Sequence, residues 1–182
     1  MTLFICLLKF NLKVVYFFLK LLPTKNKIVF ISRQSNNPSI DFKMIASKLK
    51  KYQVVMITKK IESGFLNYMK YYFNLYKQMY HLATSKVCIV DSYCIPVCIL
   101  NHKKDLLVIQ IWHAMGAIKK FGYQTLFKDA GRNEKIAKLM CMHKNYDYVL
   151  SGSLNMIEPF SEAFNIDKNK IIVNGLPRVD YI

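Results

Sequence analysis

One short stretch of the chain gathers a histidine, a glycine and two lysines, His113, Gly116, Lys119 and Lys120, directly after its single tryptophan, Trp112. A neutral imidazole takes up a proton near neutral pH, which suits a general base that activates a hydroxyl. Glycine admits the close approach of a backbone or a phosphate, and lysines supply positive charge for an anionic group. The same residues also fit a plainer role, in which a core histidine bonds a backbone carbonyl and Trp112 fills space. On residue types alone the two readings stand level.

A second grouping is Cys94, Cys98 and His102, a CxxxCxxxH spacing that one helix could present to zinc, with Cys88 or His143 as a fourth ligand. The surrounding segment is apolar, so small buried cysteines are the better reading and no metal is expected. The five cysteines are odd in number and lack framework spacing, which points to a reduced, cytosolic environment. There is no glycine-rich dinucleotide fingerprint, Walker loop or nucleophile elbow. No cofactor is expected.

The elements that must position these residues are legible in the alternation of apolar runs. LLVIQI (106–111) reads as a strand, so His113 falls where that strand stops. KIVFIS (27–32), QVVMIT (53–58), KVCIVD (86–91), YDYVLSGS and KIIVNG read the same way. Helical patterns lie between them, at IDFKMIASKLKKY, at 65–80, at roughly 133–143 and at LNMIEPFSEAF. The helix at 65–80 is expected to be mostly buried, with its aromatic residues facing the core in preference to a second membrane-contacting face. Strands alternating with helices predict an α/β, Rossmann-like parallel sheet with helices on both faces over residues 27–176. Ligands of such sheets bind at the carboxyl ends of the strands. Those ends carry Ser32, Arg33, Asp91, Trp112, His113, Ser151 and Ser153.

Residues 1–26 form a separate unit. LFICLLKFNLKVVYFFLKLL is as long as a membrane span but carries Lys9, Lys13 and Lys20. At about 100° per residue these lysines fall within a ~40° arc. A span would place Lys13 near the bilayer centre, at a cost of about 2.5–3.5 kcal/mol. An amphipathic helix lying at the membrane surface keeps the lysines among headgroups. That is the favoured reading, ahead of a helix packed on its own domain and of a true span. No secretory signal is expected, since no basic segment precedes the apolar run and no small-residue cleavage site follows it.

The chain has 182 residues, 53% hydrophobic, enough for one domain with a real core. Its 27 Lys and Arg against 11 acids give a net charge of +16, spread along the chain. Such an excess fits an anionic partner. No nucleic-acid module surrounds the basic and aromatic residues, so an anionic membrane surface is the expected partner.

QIWHAMGAIKKFG resembles the tryptophan–histidine signature of the CDP-glycerol:poly(glycerophosphate) glycerophosphotransferases, the teichoic acid polymerases and primases. HLATSKVCIVDSY resembles that family's helix end and strand leading to Asp91, and GLPRVDYI its GxPRxD ending, here Gly175, Pro177, Arg178 and Asp180. The resemblance implies a GT-B arrangement in which this chain is the N-terminal, acceptor-side domain, with 177–182 starting the interdomain linker. A second domain beyond Ile182 would hold most of the CDP-glycerol, so this chain alone is expected to be inactive. It further implies that His113 is the base for an undecaprenyl-diphosphate-linked acceptor at the cytoplasmic side of the cell membrane. Substrate would be bound by Trp112, Gly116, Lys119, Lys120, Ser32, Arg33, Asp91, Ser151, Ser153 and Arg178. Two other functions fit the same residues, a non-catalytic module binding acceptor lipid or anionic polymer and a nucleotide-sugar glycosyltransferase.

Overall fold

The computed structural model describes residues 2–126, 128, 131 and 133–181. Met1 and Ile182, which bound the expected first and last units, lie outside the described residues. Six short strands, β1 (Lys27–Ser32), β2 (Gln53–Thr58), β3 (Val87–Val90), β4 (Leu107–Gln110), β5 (Tyr148–Ser151) and β6 (Ile171–Val173), make one sheet in the order β2-β1-β3-β4-β5-β6. Every pairing is parallel. Parallel strands need crossovers, which the helices α2 (Ile40–Lys48), α3 (Phe65–Thr84), α4 (Ile95–Ile99), α5 (Glu134–Leu139) and α6 (Ile157–Phe164) supply.

Both faces of the sheet are covered, and β1 shows why its sequence is apolar throughout. Val29 and Ile31 point into the larger core, with residues of α3, α4 and α6. Ile28 and Phe30 point the other way, into a smaller core with Phe42 of α2. The period of two therefore buries both sets, as expected of a central parallel strand. The Rossmann-like, two-faced α/β fold is the one the alternation predicts.

Two helices are shorter than their patterns. α2 stops at Lys48, with Leu49 as its cap, and the chain turns through Lys50 and Lys51 into β2. α5 starts where the Asn133 side chain accepts from the Ile136 amide. It ends before Cys141 and His143, whose left-handed φ values of 49° and 58° no helix continues. The apolar segment around Pro96 becomes α4, with the proline in the first turn, where its missing N–H costs nothing.

The helix α1 (Thr2–Leu19) docks on the larger core through Leu12 and Tyr16, both buried. Asn11 accepts from the Tyr72 and Tyr76 hydroxyls of α3. The Nε2 of His102 lies 2.8 Å from the Val97 carbonyl, which can only accept, so that nitrogen carries the proton. Its Nδ1 then accepts from the Tyr16 hydroxyl at 2.8 Å. His102 thus spends both nitrogens on the fold, while Cys88, Cys94 and Cys98 are buried thiols. Burial pushes the Cys94 thiol up to about 12.

Lys9, Lys13 and Lys20 do not share one solvent-facing stripe, and Lys20 falls just past the end of α1. Lys13 is exposed, but the Lys9 ammonium turns inward, donating to the carbonyl of Leu139 at the end of α5 and to the Cys141 sulfur. The cause is the unpaired carbonyls that end a helix, which attract a cation. The face turned away from the domain is apolar instead, with Leu3, Phe4, Phe10, Phe17 and Phe18 all exposed. The first half of α3 also departs from the buried helix expected, because Phe65, Leu66 and Phe73 are exposed.

Two half-buried imidazoles make this fold sensitive to acid. Burial, helped by Lys27 and Lys77, holds His81 down to about 4, and burial also lowers His102. In the unfolded chain a histidine titrates near ~6.5. Between ~6.5 and about 4 the unfolded state therefore binds more protons, and stability falls as pH falls across that window. Thermal melting followed from pH 7 to pH 4 is expected to show this loss, and His81→Gln should make it shallower. An identical slope in the variant would remove His81 from the account.

Candidate active site

The winding order reverses between β1 and β3, and at such a point the loops leaving the carboxyl ends part to form a crevice. A cavity of about 320 Å³ lies there. Arg33 and Gln34 reach it from the end of β1, Ser92 and Tyr93 from the end of β3, and Trp112 and His113 from the end of β4, with Lys120 and Phe121 also on its wall.

The turn after β4 is unusual for its residue type. Trp112 has φ 56°, a left-handed backbone that a bulky residue rarely takes. Three contacts hold it there. Its amide donates to Oε1 of the buried Gln110 at 2.8 Å, and the Gln110 Nε2 donates to the Ser92 carbonyl at 3.3 Å. Its indole stacks on Phe121 with ring centroids 4.1 Å apart and 17° between planes, and meets Phe164 edge-on. Gly122 permits this stack: at φ 56°, a Cβ there would fall 2.1 Å from the Ala163 carbonyl oxygen. The turn sends the chain back over β3, and His113 lands against Asp91.

His113 Nδ1 lies 3.0 Å from the backbone carbonyl oxygen of Asp91. A carbonyl only accepts, so the proton of the neutral ring sits on Nδ1 and the lone pair on Nε2. The Gln34 Nε2, 3.4 Å from the same Nδ1, is itself a donor and does not compete for that proton. Beneath the ring the Asp91 carboxyl is buried. Burial raises its pKa against the hydrogen bonds of Ser32 and Ser92 and the nearby His113. The carbonyl bond is the one the plainer reading of His113 expects. One nitrogen bonds a backbone carbonyl, and the other is left with the character of a base.

Arg178 is expected at the substrate but is held outside the cavity wall. Its backbone N–H and guanidinium both bond the carboxylate of Asp41, which is buried in the first turn of α2 and requires a countercharge. Its Nη1 donates to the His113 carbonyl at 2.7 Å, so it fixes the main chain of His113.

The remaining expected residues separate into two groups. Arg33, Trp112, His113 and Lys120 line the cavity, and Ser32 and Asp91 are buried just below it. Ser151 is buried with its hydroxyl donating to the Ser153 carbonyl, Ser153 caps the turn at Leu154–Met156, Gly116 faces the Met156 sulfur, and Lys119 is exposed. These four are not brought to the cavity wall. Gln34, Tyr93 and His143 line it without having been expected there. Ser92 had a signal, since it follows a strand-ending aspartate, whereas His143 arrives from a distant loop and had none.

Comparison with known proteins adds to this geometry. The sequence pattern of the family described as CDP-Glycerol:Poly(glycerophosphate) glycerophosphotransferase matches residues 14–182. The chain belongs to this family. Among curated members it is 33% identical over 165 residues to the teichoic acid ribitol-phosphate primase of Bacillus spizizenii, a match covering 88% of this chain and 42% of that protein. It is 34% identical over 107 residues to the teichoic acid glycerol-phosphate primase of Bacillus subtilis, covering 59% of this chain and 28% of that one. The chain thus spans less than half the length of these relatives. Solved structures of the wall teichoic acid polymerase TagF share its fold, with a TM-score of 0.64 and 19% identity over 85% of this chain and 39% of TagF for one soaked with CDPG.

Gln110 holds the left-handed turn that precedes His113, so its loss should be felt in both stability and the environment of Trp112. Gln110→Ala leaves the Trp112 amide and the Ser92 carbonyl without these partners. It is expected to cost about 1–3 kcal/mol for each group left buried and unbonded. The emission of Trp112, the single tryptophan, should shift as its stack on Phe121 loosens. Unchanged melting and emission would show that the turn holds itself without the amide.

Proposed function

We propose that this chain is the acceptor-side half of a transferase that moves glycerol phosphate from CDP-glycerol to a lipid-linked glycerophosphate acceptor in teichoic acid synthesis. The observation that carries this reading is the Asp91 carbonyl on His113 Nδ1, which leaves Nε2 basic in a ring lining the cavity. Nε2 takes the proton of the acceptor's terminal hydroxyl, and that oxygen forms a bond to the β-phosphorus of CDP-glycerol. The bond between the two phosphates breaks, and CMP leaves with the electron pair. Charge builds on the transferring phosphoryl oxygens, and Lys120 on the same wall is placed to stabilise it.

His113→Asn separates this role from a structural one. An asparagine amide can still donate to the Asp91 carbonyl, but it has no basic nitrogen. In the full-length protein, transfer from CDP-glycerol should fall about 10²–10⁴-fold while melting stays close to the unaltered protein. Near-normal turnover in the variant would sink the general-base assignment. Because the ribitol-phosphate primase covers more of the chain than the glycerol-phosphate primase does, CDP-ribitol is the second donor to assay. A clear preference for it would change the polymer without changing the role of His113.

The same reading places the chain peripherally on the cytoplasmic face of the membrane. Among the described residues α1 is the one helix long and apolar enough to cross a bilayer. Its inner side is committed to the domain through Tyr16 and Leu12, which favours lying at the interface. The outward aromatic residues of α1 and of the start of α3 would enter the headgroup boundary, and Lys13 with the net charge of +16 would favour anionic lipid. The protein is expected to sediment with vesicles containing anionic phospholipid, and less so in high salt, which screens only the charge contribution. Phe10→Ser combined with Phe17→Ser should reduce binding at every salt concentration. Equal binding to purely zwitterionic vesicles would rule out the electrostatic part.

A further inference from the structure

A second cavity, of about 290 Å³, lies beneath α1. Its wall is largely apolar, formed by Ile5 and Leu8 of α1, Leu75 of α3, Ile95 of α4, and Ile136 and Met140 at α5. An apolar recess of this kind takes hydrocarbon in preference to water. At about 30 Å³ for a water-sized or methylene-sized group, the space holds roughly ten such groups, a segment of one chain.

Two residues, Arg33 and Tyr93, line both this cavity and the one containing His113. The Arg33 guanidinium lies over the Tyr93 ring, 5.0 Å from its centroid, and among the described residues it makes no ion pair. The other cation on the wall, Lys9, is engaged by the Leu139 carbonyl and the Cys141 sulfur. An uncompensated guanidinium between an apolar cavity and a polar one matches a molecule with an anionic head and a single hydrocarbon tail.

We propose that the cavity beneath α1 seats the start of the hydrocarbon chain of a single-chain lipid phosphate, with Arg33 holding the phosphate at the junction of the two cavities. The inference rests on the acceptor-side reading above and gives the acceptor lipid its place. The chain would approach from the membrane along α1, whose outer face is apolar and whose inner face walls the cavity. The phosphate would stop at Arg33, and what it carries would extend towards His113.

Alkyl phosphates below their micelle concentration test this directly, by titration calorimetry on the full-length protein. Affinity should rise at least tenfold from ethyl to octyl phosphate, with saturation at one octyl phosphate per chain. Ile95→Phe, which fills the cavity, should weaken octyl phosphate at least tenfold and leave ethyl phosphate unchanged. Arg33→Gln should weaken both phosphates and leave octanol unaffected. Affinity independent of chain length overturns the proposal, as does Ile95→Phe binding octyl phosphate normally with unchanged melting. Should Ile95→Phe fail to fold, the chain-length series on the unaltered protein decides. These measurements read binding alone, so they stand or fall apart from the His113→Asn transfer assay.

Discussion

Parallel pairing of β1, β3 and β4 makes three loops that are far apart in sequence leave the sheet side by side. Each strand must be re-entered from the same end, so each carboxyl end releases its chain at the same edge. Arg33, Ser92 and His113 meet for this reason alone, and the cavity exists because the winding reverses between the first two of these strands. The core on both faces of β1 fixes the strand positions, and the strand positions fix the site.

On that frame the local chemistry is carried mostly by backbone groups. The His113 tautomer is set by a main-chain carbonyl, its own carbonyl is held by Arg178, and the turn before it is held by a side-chain amide.

The sheet was legible because every strand is a compact apolar run, and β1 and β2 have the bounds that their sequences imply. His113, Trp112, Arg33 and Lys120 were legible as a site because they follow strands or sit in the next loop. Arg178 was misleading. It looks like a free cation near a ligand crevice, but its partner Asp41 is distant in sequence and buried only after α2 packs. Lys9 misled for the same reason, since the Leu139 carbonyl that attracts it exists only once α5 has ended. Period and spacing describe a helix's own faces and say nothing of which neighbour meets each face. The aromatic residues at the start of α3 were assigned to the core on composition, although the domain does not reach them.

The Asp41–Arg178 contact has a further consequence in time. Its partners are 137 residues apart. Chains emerge from the ribosome N-terminus first, and contacts of long sequence separation form late. The strands β1 to β4 can therefore pair, and His113 can emerge with its loop, while the guanidinium that holds the His113 carbonyl is still unsynthesised. The nascent domain passes through a stage in which these strands are paired and His113 is loosely held. Closure of the site thus waits for Arg178, a residue that never touches the cavity.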